Sequence, residues 1–229
     1  MPLVVLILTL AFAGSTLWVP DFGGFDPDQF PVPQNTPPVQ PAGYAFAIWG
    51  VVYLWLLVSA VFGVVRRWSA PDWRDMRLPL AISLAVGAIW LPAAVLSPVL
   101  ATVLIWAMLL PALVALWRSP VLDIGWASWP IGLYAGWLSA ASCVAIGLLL
   151  AGYGITSEEI AAALMLSVAI ILASVVQSRL GRAPTYGLGV IWALVAVAVQ
   201  NGTEQPWIAM LALFGCGIVS APTLRARRG

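Results

Sequence analysis

Residues 42–65 form one uninterrupted apolar stretch, AGYAFAIWGVVYLWLLVSAVFGVV, that contains no charged side chain. A helix needs about 20 such residues to cross the hydrocarbon core of a bilayer, so this stretch alone predicts a membrane span. The whole chain agrees, because 62% of its 229 residues are hydrophobic and only 8% are charged, against roughly 25% charged residues in soluble domains. The sequence therefore predicts an all-α integral membrane protein. Its net charge of +1 provides no basic surface for nucleic acid.

Eight apolar segments of about this length occur along the chain. They cover residues 2–19, 42–65, 79–97, 99–117, 128–151, 158–178, 184–200 and 206–222. The first, seventh and eighth are short, which leaves interfacial or re-entrant helices as the alternative for them. We expect the first segment to be a retained span and not a secretory signal, since no basic residue precedes it.

The positions of the arginines support the count of eight. With a cytoplasmic amino terminus, all ten basic residues fall in cytoplasmic segments: Arg66, Arg67, Arg74, Arg77, Arg118, Arg179, Arg182, Arg225, Arg227 and Arg228. Merging the third and fourth segments, or omitting the seventh, would place arginines on both faces. The positive-inside rule therefore favours eight spans with both termini in the cytoplasm. Abundant alanine and arginine without lysine indicate a bacterial protein, hence the cytoplasmic (inner) membrane.

The connection between the first two segments, residues 20–41, contains seven prolines and three aspartates. Proline fixes φ and removes an amide donor, so this stretch is not expected to be helical. We expect a stiff, extended cover over the outer face of the bundle. The alternative is a merely exposed connector.

The spans lack the side chains that most intramembrane chemistry requires. The chain has no histidine, and every charged side chain lies at the end of a span. Ion-coupled carriers hold charged groups at depth, and intramembrane proteases use serine with histidine or paired aspartates. We therefore expect no catalytic residue, no metal site and no required cofactor. The cysteines Cys143 and Cys216 are interpreted as packing residues.

Tryptophan is in excess, with thirteen copies. Seven lie near span ends, as in an interfacial aromatic belt: Trp18, Trp68, Trp73, Trp117, Trp126, Trp129 and Trp207. Six lie within spans: Trp49, Trp55, Trp90, Trp106, Trp137 and Trp192. Trp49, Trp90 and Trp106 share a depth of roughly 10 Å from the outer ends of their spans. Converging rings would form an apolar cavity for a large planar or polyisoprenoid ligand, and the alternative is that they fill space between helices.

Small residues recur at intervals of four in the fifth segment, at Gly132, Gly136 and Ala140. Such a stripe lets two helices approach closely. The neighbour is either another span of this chain or a second protomer, so the sequence leaves a homodimer open.

Three short motifs stand out in the first two thirds of the chain: PAGYAFAIWGVVY at 41–53, IWLP at 89–92 and WPIGLYAGW at 129–137. In this order they resemble the second, third and fifth spans of the tryptophan-rich sensory protein family, also called TspO/MBR or translocator protein. The resemblance implies a five-helix core over residues 1–152. Residues 153–229 would then add three spans and a basic tail, as in longer bacterial members.

The resemblance also implies a pocket for porphyrins, sterols or related apolar compounds between the helices. The implied pocket-lining residues are Tyr44, Trp49, Tyr53, Trp90, Tyr134 and Trp137, to which the shared depth adds Trp106. The chain departs from the family pattern at three places. Phe46 stands three residues before Trp49 where short members have an aromatic residue four before it, Gly87 replaces an asparagine, and Ser142 or Cys143 replaces another asparagine.

The leading hypothesis is a non-enzymatic membrane protein that binds or transports apolar ligands such as a tetrapyrrole, a sterol-like compound or a carotenoid. The expected partners are membrane lipid and an apolar small molecule, with a bound porphyrin, carotenoid or lipid as candidates. The alternative is an accessory subunit of a larger membrane complex, photosynthetic in one version, whose spans meet partner helices, lipid or pigment. A third hypothesis is an enzyme that acts on a bound porphyrin through tryptophan chemistry.

Overall fold

The computed structural model describes residues 1–17, 19 and 22–226. Trp18, Pro20, Asp21 and residues 227–229 lie outside the described residues. The expectations for Trp18 in the aromatic belt, for Pro20 and Asp21 in the proline-rich connection, and for Arg227 and Arg228 on the cytoplasmic face therefore concern positions outside that part of the chain.

Eight α-helices and short 3-10 turns make up the described residues, which contain no strand. The helices are α1 (Pro2–Gly14), α2 (Ile48–Val65), α3 (Arg74–Leu96), α4 (Pro98–Arg118), α5 (Ser128–Gly152), α6 (Glu158–Leu180), α7 (Thr185–Asn201) and α8 (Pro206–Arg225). Six of them are long and apolar enough to cross a membrane, and α1 and α7 are shorter apolar helices. The predicted all-α membrane protein is thus confirmed, and the eighth segment, expected to be short, has the length of a span.

The break between the third and fourth segments is a true helix boundary. Ser97 has an extended backbone (φ −160°, ψ 120°), and its hydroxyl accepts a hydrogen bond from the amide of Leu100 at 3.3 Å. Pro98 occupies the first turn of α4, where its missing N–H has no intrahelical partner to lose. One residue therefore separates two antiparallel helices, which agrees with a count of eight.

Contacts between the connections define two ends of the bundle. At one end, the arginine face, Arg67 of the α2–α3 connection binds Asp123 of the α4–α5 connection. The other end, the loop face, carries residues 22–47. The amide of Val32 donates to the carbonyl of Gly152 at 2.8 Å, and the amide of Ala42 donates to that of Ala196 at 3.1 Å. The described arginines all lie in connections or helix ends of the arginine face.

Helix α5 occupies the centre of the bundle and contacts α2, α4, α6 and α7. Two of its glycines, Gly132 and Gly136, face the start of α7. A methyl group added to Gly136 would overlap the carbonyl group of Tyr186, and one added to Gly132 would lie 2.6 Å from Thr185 Oγ1. Another span of the same chain is therefore the neighbour of the small-residue stripe.

Arg182, in the α6–α7 connection, ties the last three helices to the first five. Its guanidinium donates to the carbonyls of Trp117 (2.8 Å) and Ser119 (2.7 Å), where α4 ends. A cation is favourable there, because the last carbonyls of a helix lack intrahelical donors. Burial lowers the pKa of Arg182.

The division of the chain into a five-helix core over residues 1–152 and three further spans over residues 153–229 stays a prediction.

Candidate ligand-binding site

A cluster of aromatic rings fills the centre of the bundle between α1, α2 and α5. The ring of Phe12 lies 5.0 Å from that of Tyr53 and 5.7 Å from those of Trp49 and Tyr134, measured between centroids. Trp49 stacks on Tyr53 at 5.4 Å and meets Trp137 edge-on at 6.2 Å. The first helix thus contributes a ring that contacts three others of the cluster, which the sequence motifs did not indicate.

Two adjacent cavities lie beside this cluster, below the loop face. Cavity A, of about 190 Å³, is bordered by Phe12 of α1, Thr16 of the 3-10 turn that follows α1, Trp49 and Tyr53 of α2, and Trp90 of α3. Cavity B, of about 60 Å³, lies against α5 and includes Ile105, Trp137, Ala140, Val144 and Leu148 in its wall. Phe22, Phe46 and Trp90 border both cavities and separate them. Among the described residues, no charged side chain lines either cavity.

Residues 22–47, the cover segment, lie over the two cavities as an ordered structure that includes the 3-10 turns Pro27–Gln29 and Gly43–Ala47. Gln29 Nε2 donates to the carbonyl of Val95 at 2.6 Å, and Asn201 Nδ2 donates to that of Pro38 at 2.8 Å. Val39 packs on α5 so closely that a methyl group at Gly147 would lie 2.9 Å from Val39 Cγ2. The expected cover over one face of the bundle is present, although it is not extended throughout, and its stiffness stays a prediction.

The predicted site residues fall into two groups. Trp49, Tyr53 and Trp90 border cavity A, and Trp90 and Trp137 border cavity B. The other three border neither: Tyr44, Trp106 and Tyr134.

Each of these three has a different environment. Tyr44 is half exposed and meets Trp192 edge-on at 5.7 Å, outside the aromatic cluster. Tyr134 is fully buried, and its hydroxyl lies 2.8 Å from Ser83 Oγ, which donates to the carbonyl of Met108 at 2.7 Å. Trp106 packs against the core with a buried indole nitrogen. The ring of Tyr134 therefore packs within the aromatic cluster without bordering a cavity, and its hydroxyl group is already hydrogen-bonded to Ser83.

The two indole groups of cavity B differ in their hydrogen bonding. Trp90 Nε1 donates to the carbonyl of Ala101 at 2.9 Å. Trp137 is 2% exposed, and its Nε1 has no hydrogen-bond partner among the described residues. An unsatisfied buried donor costs about 1–3 kcal/mol. Gln40, in the wall of the same cavity, adds an amide group. Trp137 therefore carries an unpaired donor, itself buried, beside cavity B.

Sequence reasoning missed several residues of the site. Phe12, Phe22 and Gln40 all line a cavity. Phe46 was noted only as displaced from the family spacing, yet it borders both cavities. Two departures from the family pattern were thus signals of the site: the displaced Phe46, and Gly87, where the absence of a side chain makes room for Phe12.

The arrangement suits binding better than metal chemistry. Among the described residues, no group of three histidine, cysteine, aspartate or glutamate side chains could hold a metal ion. The cavity walls offer flat aromatic surfaces, aliphatic side chains, and one hydroxyl each from Thr16 and Tyr53, and the ring of Trp137 in the wall of cavity B carries a buried, unpaired donor.

Comparison with known protein families identifies a match over most of the chain. A family model described as TSPO-like protein matches residues 32–224, which is most of the chain and includes all helices from α2 to α8. No curated protein and no solved structure matches the chain.

Proposed function

Because the chain belongs to the family of TSPO-like proteins, we propose that it is a non-enzymatic membrane protein that binds or transports apolar planar or isoprenoid ligands. One observation carries this proposal: two adjacent cavities with aromatic walls lie under an ordered cover segment, inside a bundle that is otherwise closely packed. Tetrapyrroles, sterol-like compounds and carotenoids are the ligand classes that such walls suit.

Affinity in this site comes from ring stacking and buried area. Burial of apolar surface contributes about 25 cal/mol per Å², so a tryptophan that covers ~100 Å² of ligand contributes about 2 to 3 kcal/mol. The uncharged walls give a carboxylate no partner, and an unpaired buried charge is costly. The site therefore favours uncharged ligands, and among them those whose carbonyl or hydroxyl oxygen accepts from Trp137 Nε1.

The volumes bear on the shape of the ligand. Pockets for drug-sized molecules are roughly 300–1,000 Å³, whereas cavity A holds about 190 Å³ and cavity B about 60 Å³. A linear isoprenoid chain enters such space more readily than a macrocycle. Binding of a tetrapyrrole requires Phe22 and Phe46, which separate the cavities, to move with the cover segment.

The first test measures ligand affinity by titration of the purified protein in detergent, with tryptophan fluorescence and ligand absorbance as readouts. A metal-free porphyrin without carboxylate groups, its zinc form and a carotenoid serve as ligands. Trp49→Ala and Trp137→Ala should weaken binding of the ligands that use both cavities by tens-fold, and equally for the two porphyrins. Trp207→Ala is the matched control, because Trp207 lies at the start of α8 and borders neither cavity. Equal losses in all three variants would contradict the proposed site.

A second test isolates the indole donor. Trp137→Phe keeps an aromatic ring and removes the N–H group. It should weaken binding of a keto-carotenoid by roughly tenfold, the loss of one hydrogen bond, and leave a hydrocarbon carotenoid unaffected.

A different outcome of the porphyrin titrations would show that metal ligation governs binding. In that case the zinc porphyrin would be preferred over the metal-free form, and the preference would be lost on changing a sulfur or hydroxyl residue.

The second candidate function is an accessory subunit of a larger membrane complex, and an open groove on the bundle surface favours it. This groove of about 500 Å³ runs between α2, α5 and α7, and Ile48, Val51, Leu133, Leu188 and Trp192 are among its exclusively apolar lining residues. A partner helix, a pigment or a lipid chain would cover it. Comigration with a large complex in mild detergent would support this function, and a discrete monomer or dimer with a copurifying chromophore would support the ligand-binding function.

A further inference from the structure

A cleft of about 360 Å³ opens on the arginine face, at the opposite end of the bundle from the cover segment. It lies between the start of α1 and the α2–α3 connection, and its walls include Pro2, Trp68, Pro71, Arg74 and Arg77. None of these residues borders cavity A or B. The cleft is therefore a separate feature, and its chemistry does not depend on the proposed function.

Arg77 brings a buried positive charge to the wall of this cleft. The residue is only 6% exposed. Its guanidinium donates to the carbonyl of Trp68 at 3.1 Å and to that of Arg67, which leaves further N–H groups without a protein partner among the described residues. Within that part of the chain, the ion pair formed is Arg67–Asp123, and Arg77 has no carboxylate within 4 Å. Buried charges in proteins are normally paired, so Arg77 lacks its counter-charge.

Arg74 adds a second guanidinium to the same wall. It lies three residues before Arg77 on α3, which places both side chains on one face of the helix. Arg74 is exposed and forms no ion pair with the described residues. Asp72 is near enough to act electrostatically on Arg77 but does not pair with it. The cleft therefore keeps a positive character, with the half-exposed ring of Trp68 at its edge.

We propose that this cleft binds a phosphate-bearing anion through Arg74 and Arg77. Guanidinium groups match phosphate oxygens with parallel hydrogen bonds, and Arg77 is held in place by two backbone carbonyls. Two sources offer this chemistry: the headgroup of an anionic phospholipid, and free phosphate. The cleft lies where α3 begins, beside a tryptophan of the kind found at membrane interfaces, so both sources can reach it.

The lipid source is tested with the full chain in detergent that contains equal amounts of phosphatidylglycerol and phosphatidylcholine. Native mass spectrometry then counts the lipids that stay bound. Arg74→Gln should lower retention of phosphatidylglycerol by roughly fivefold, as expected for one arginine at an anionic surface, and leave phosphatidylcholine unchanged. Arg77→Lys keeps the charge but loses the planar fork, and it should also lower retention. Arg225→Gln, which removes the same charge from an exposed site at the end of α8, is the matched control.

The free-phosphate source is tested by titrating inorganic phosphate at constant ionic strength, with sodium chloride as the reference, and following the thermal unfolding midpoint. Arg74 makes no intramolecular hydrogen bond or ion pair through its side chain among the described residues, so Arg74→Gln should fold normally even where Arg77→Lys does not. Selective retention of phosphatidylglycerol that Arg74→Gln lowers assigns the cleft to lipid. Phosphate stabilisation that Arg74→Gln abolishes, without lipid selectivity, assigns it to free phosphate. Selectivity in neither experiment, or an equal loss in Arg225→Gln, would overturn the proposal.

Discussion

Phe12 on α1, which borders cavity A, faces Gly87 on α3. A methyl group at Gly87 would lie 2.8 Å from two carbons of the Phe12 ring and 3.1 Å from Met108 Cε. Phe12 has little room to withdraw, because it is 2% exposed and contacts three other rings. The ring therefore occupies the space that the asparagine of the family pattern would enter.

This contact predicts a coupled effect of two substitutions on the free energy of unfolding. Gly87→Ala should destabilise the protein by about 1–3 kcal/mol through overpacking, and Phe12→Ala by about 3–5 kcal/mol through loss of buried area. The double variant should lose less than the sum, by about 1 kcal/mol or more, because the new methyl group enters the space left by the ring. Denaturant unfolding in detergent measures all three.

Gly50→Ala is the control for these substitutions, since a methyl group at Gly50 would meet no atom within 4 Å. It should stabilise α2 by about 0.5–1 kcal/mol, the helix preference of alanine over glycine. Strictly additive energies for Gly87→Ala and Phe12→Ala would show that the two positions do not share one space.

At the scale of whole helices, the positions of the spans and the end of the bundle that carries the arginines could be predicted from the sequence. The spans follow from apolar length, and the two faces from the arginines, because lipid tolerates neither exposed backbone nor charge. The inward face of each helix could not be predicted in the same way. Lipid and protein interior are both apolar, so the helix that carries Phe12 has no polar face opposite this ring. The sequence therefore does not indicate whether Phe12 points toward the lipid or toward the other helices. The path of the cover segment, which contains Phe22 and Gln40, depends on hydrogen bonds with distant helices, which no local pattern encodes.

For the same reason the candidate site could be predicted only in part. Motif positions identified Trp49, Trp90 and Trp137, which do border the cavities. The motifs could not show that Tyr134 borders neither cavity, because the contact of its hydroxyl with Ser83 depends on the register between α3 and α5. The shared depth of Trp106 likewise does not show whether its ring borders a cavity, because depth fixes a level in the membrane and not a direction around the helix axis.

Two connections of the arginine face are joined through one carboxylate. Asp123 accepts hydrogen bonds from Arg67 Nε (2.6 Å) and Nη2 (2.9 Å) and from Trp73 Nε1 (2.8 Å). The hydrogen bond from Arg67 is the main cause that lowers the pKa of Asp123 below its ordinary value. A carboxyl group with a depressed pKa stabilises the fold above its pKa in the unfolded chain, and this contribution is lost as the pH falls through its pKa in the folded state.

Asp123→Asn should therefore lower stability at neutral pH by about 1 kcal/mol or more, the scale of one hydrogen bond to a charged group when its partner is partly exposed. The difference from the unmodified protein should shrink as the pH is lowered below about 4, where the unfolded carboxyl group is protonated. Thermal unfolding at several pH values measures both effects. Asp75→Asn, at an exposed position of α3, is the matched control, and a pH-independent difference for Asp123→Asn would contradict the assigned role.

On the scale of the whole molecule, the last three helices pack against α5, the end of α4 and the cover segment. Helix α7 packs on the glycines of α5, and Arg182 satisfies the carbonyls at the end of α4. On the loop face, Trp192 Nε1 donates to the carbonyl of Ala45 at 2.9 Å, and Asn201 donates to that of Pro38. The cover segment of the candidate site is thus anchored by residues that lie beyond position 152. Ala193 of α7 also forms part of the wall of cavity B.

These contacts predict how the chain behaves when it is divided in the α5–α6 connection, between Gly154 and Ile155. Residues 1–154 expressed alone should be poorly stable, because the face of α5 that bears Gly132 and Gly136 would lose its closely packed partner. Coexpression with residues 155–229 should restore a complex that copurifies and unfolds cooperatively, since the connection itself is short and lies at the surface. Gly136→Leu in the first fragment should abolish copurification, because its side chain would overlap the backbone at Tyr186, whereas Gly50→Leu should not. A first fragment that folds and binds ligand alone would show instead that residues 1–152 are an independent domain.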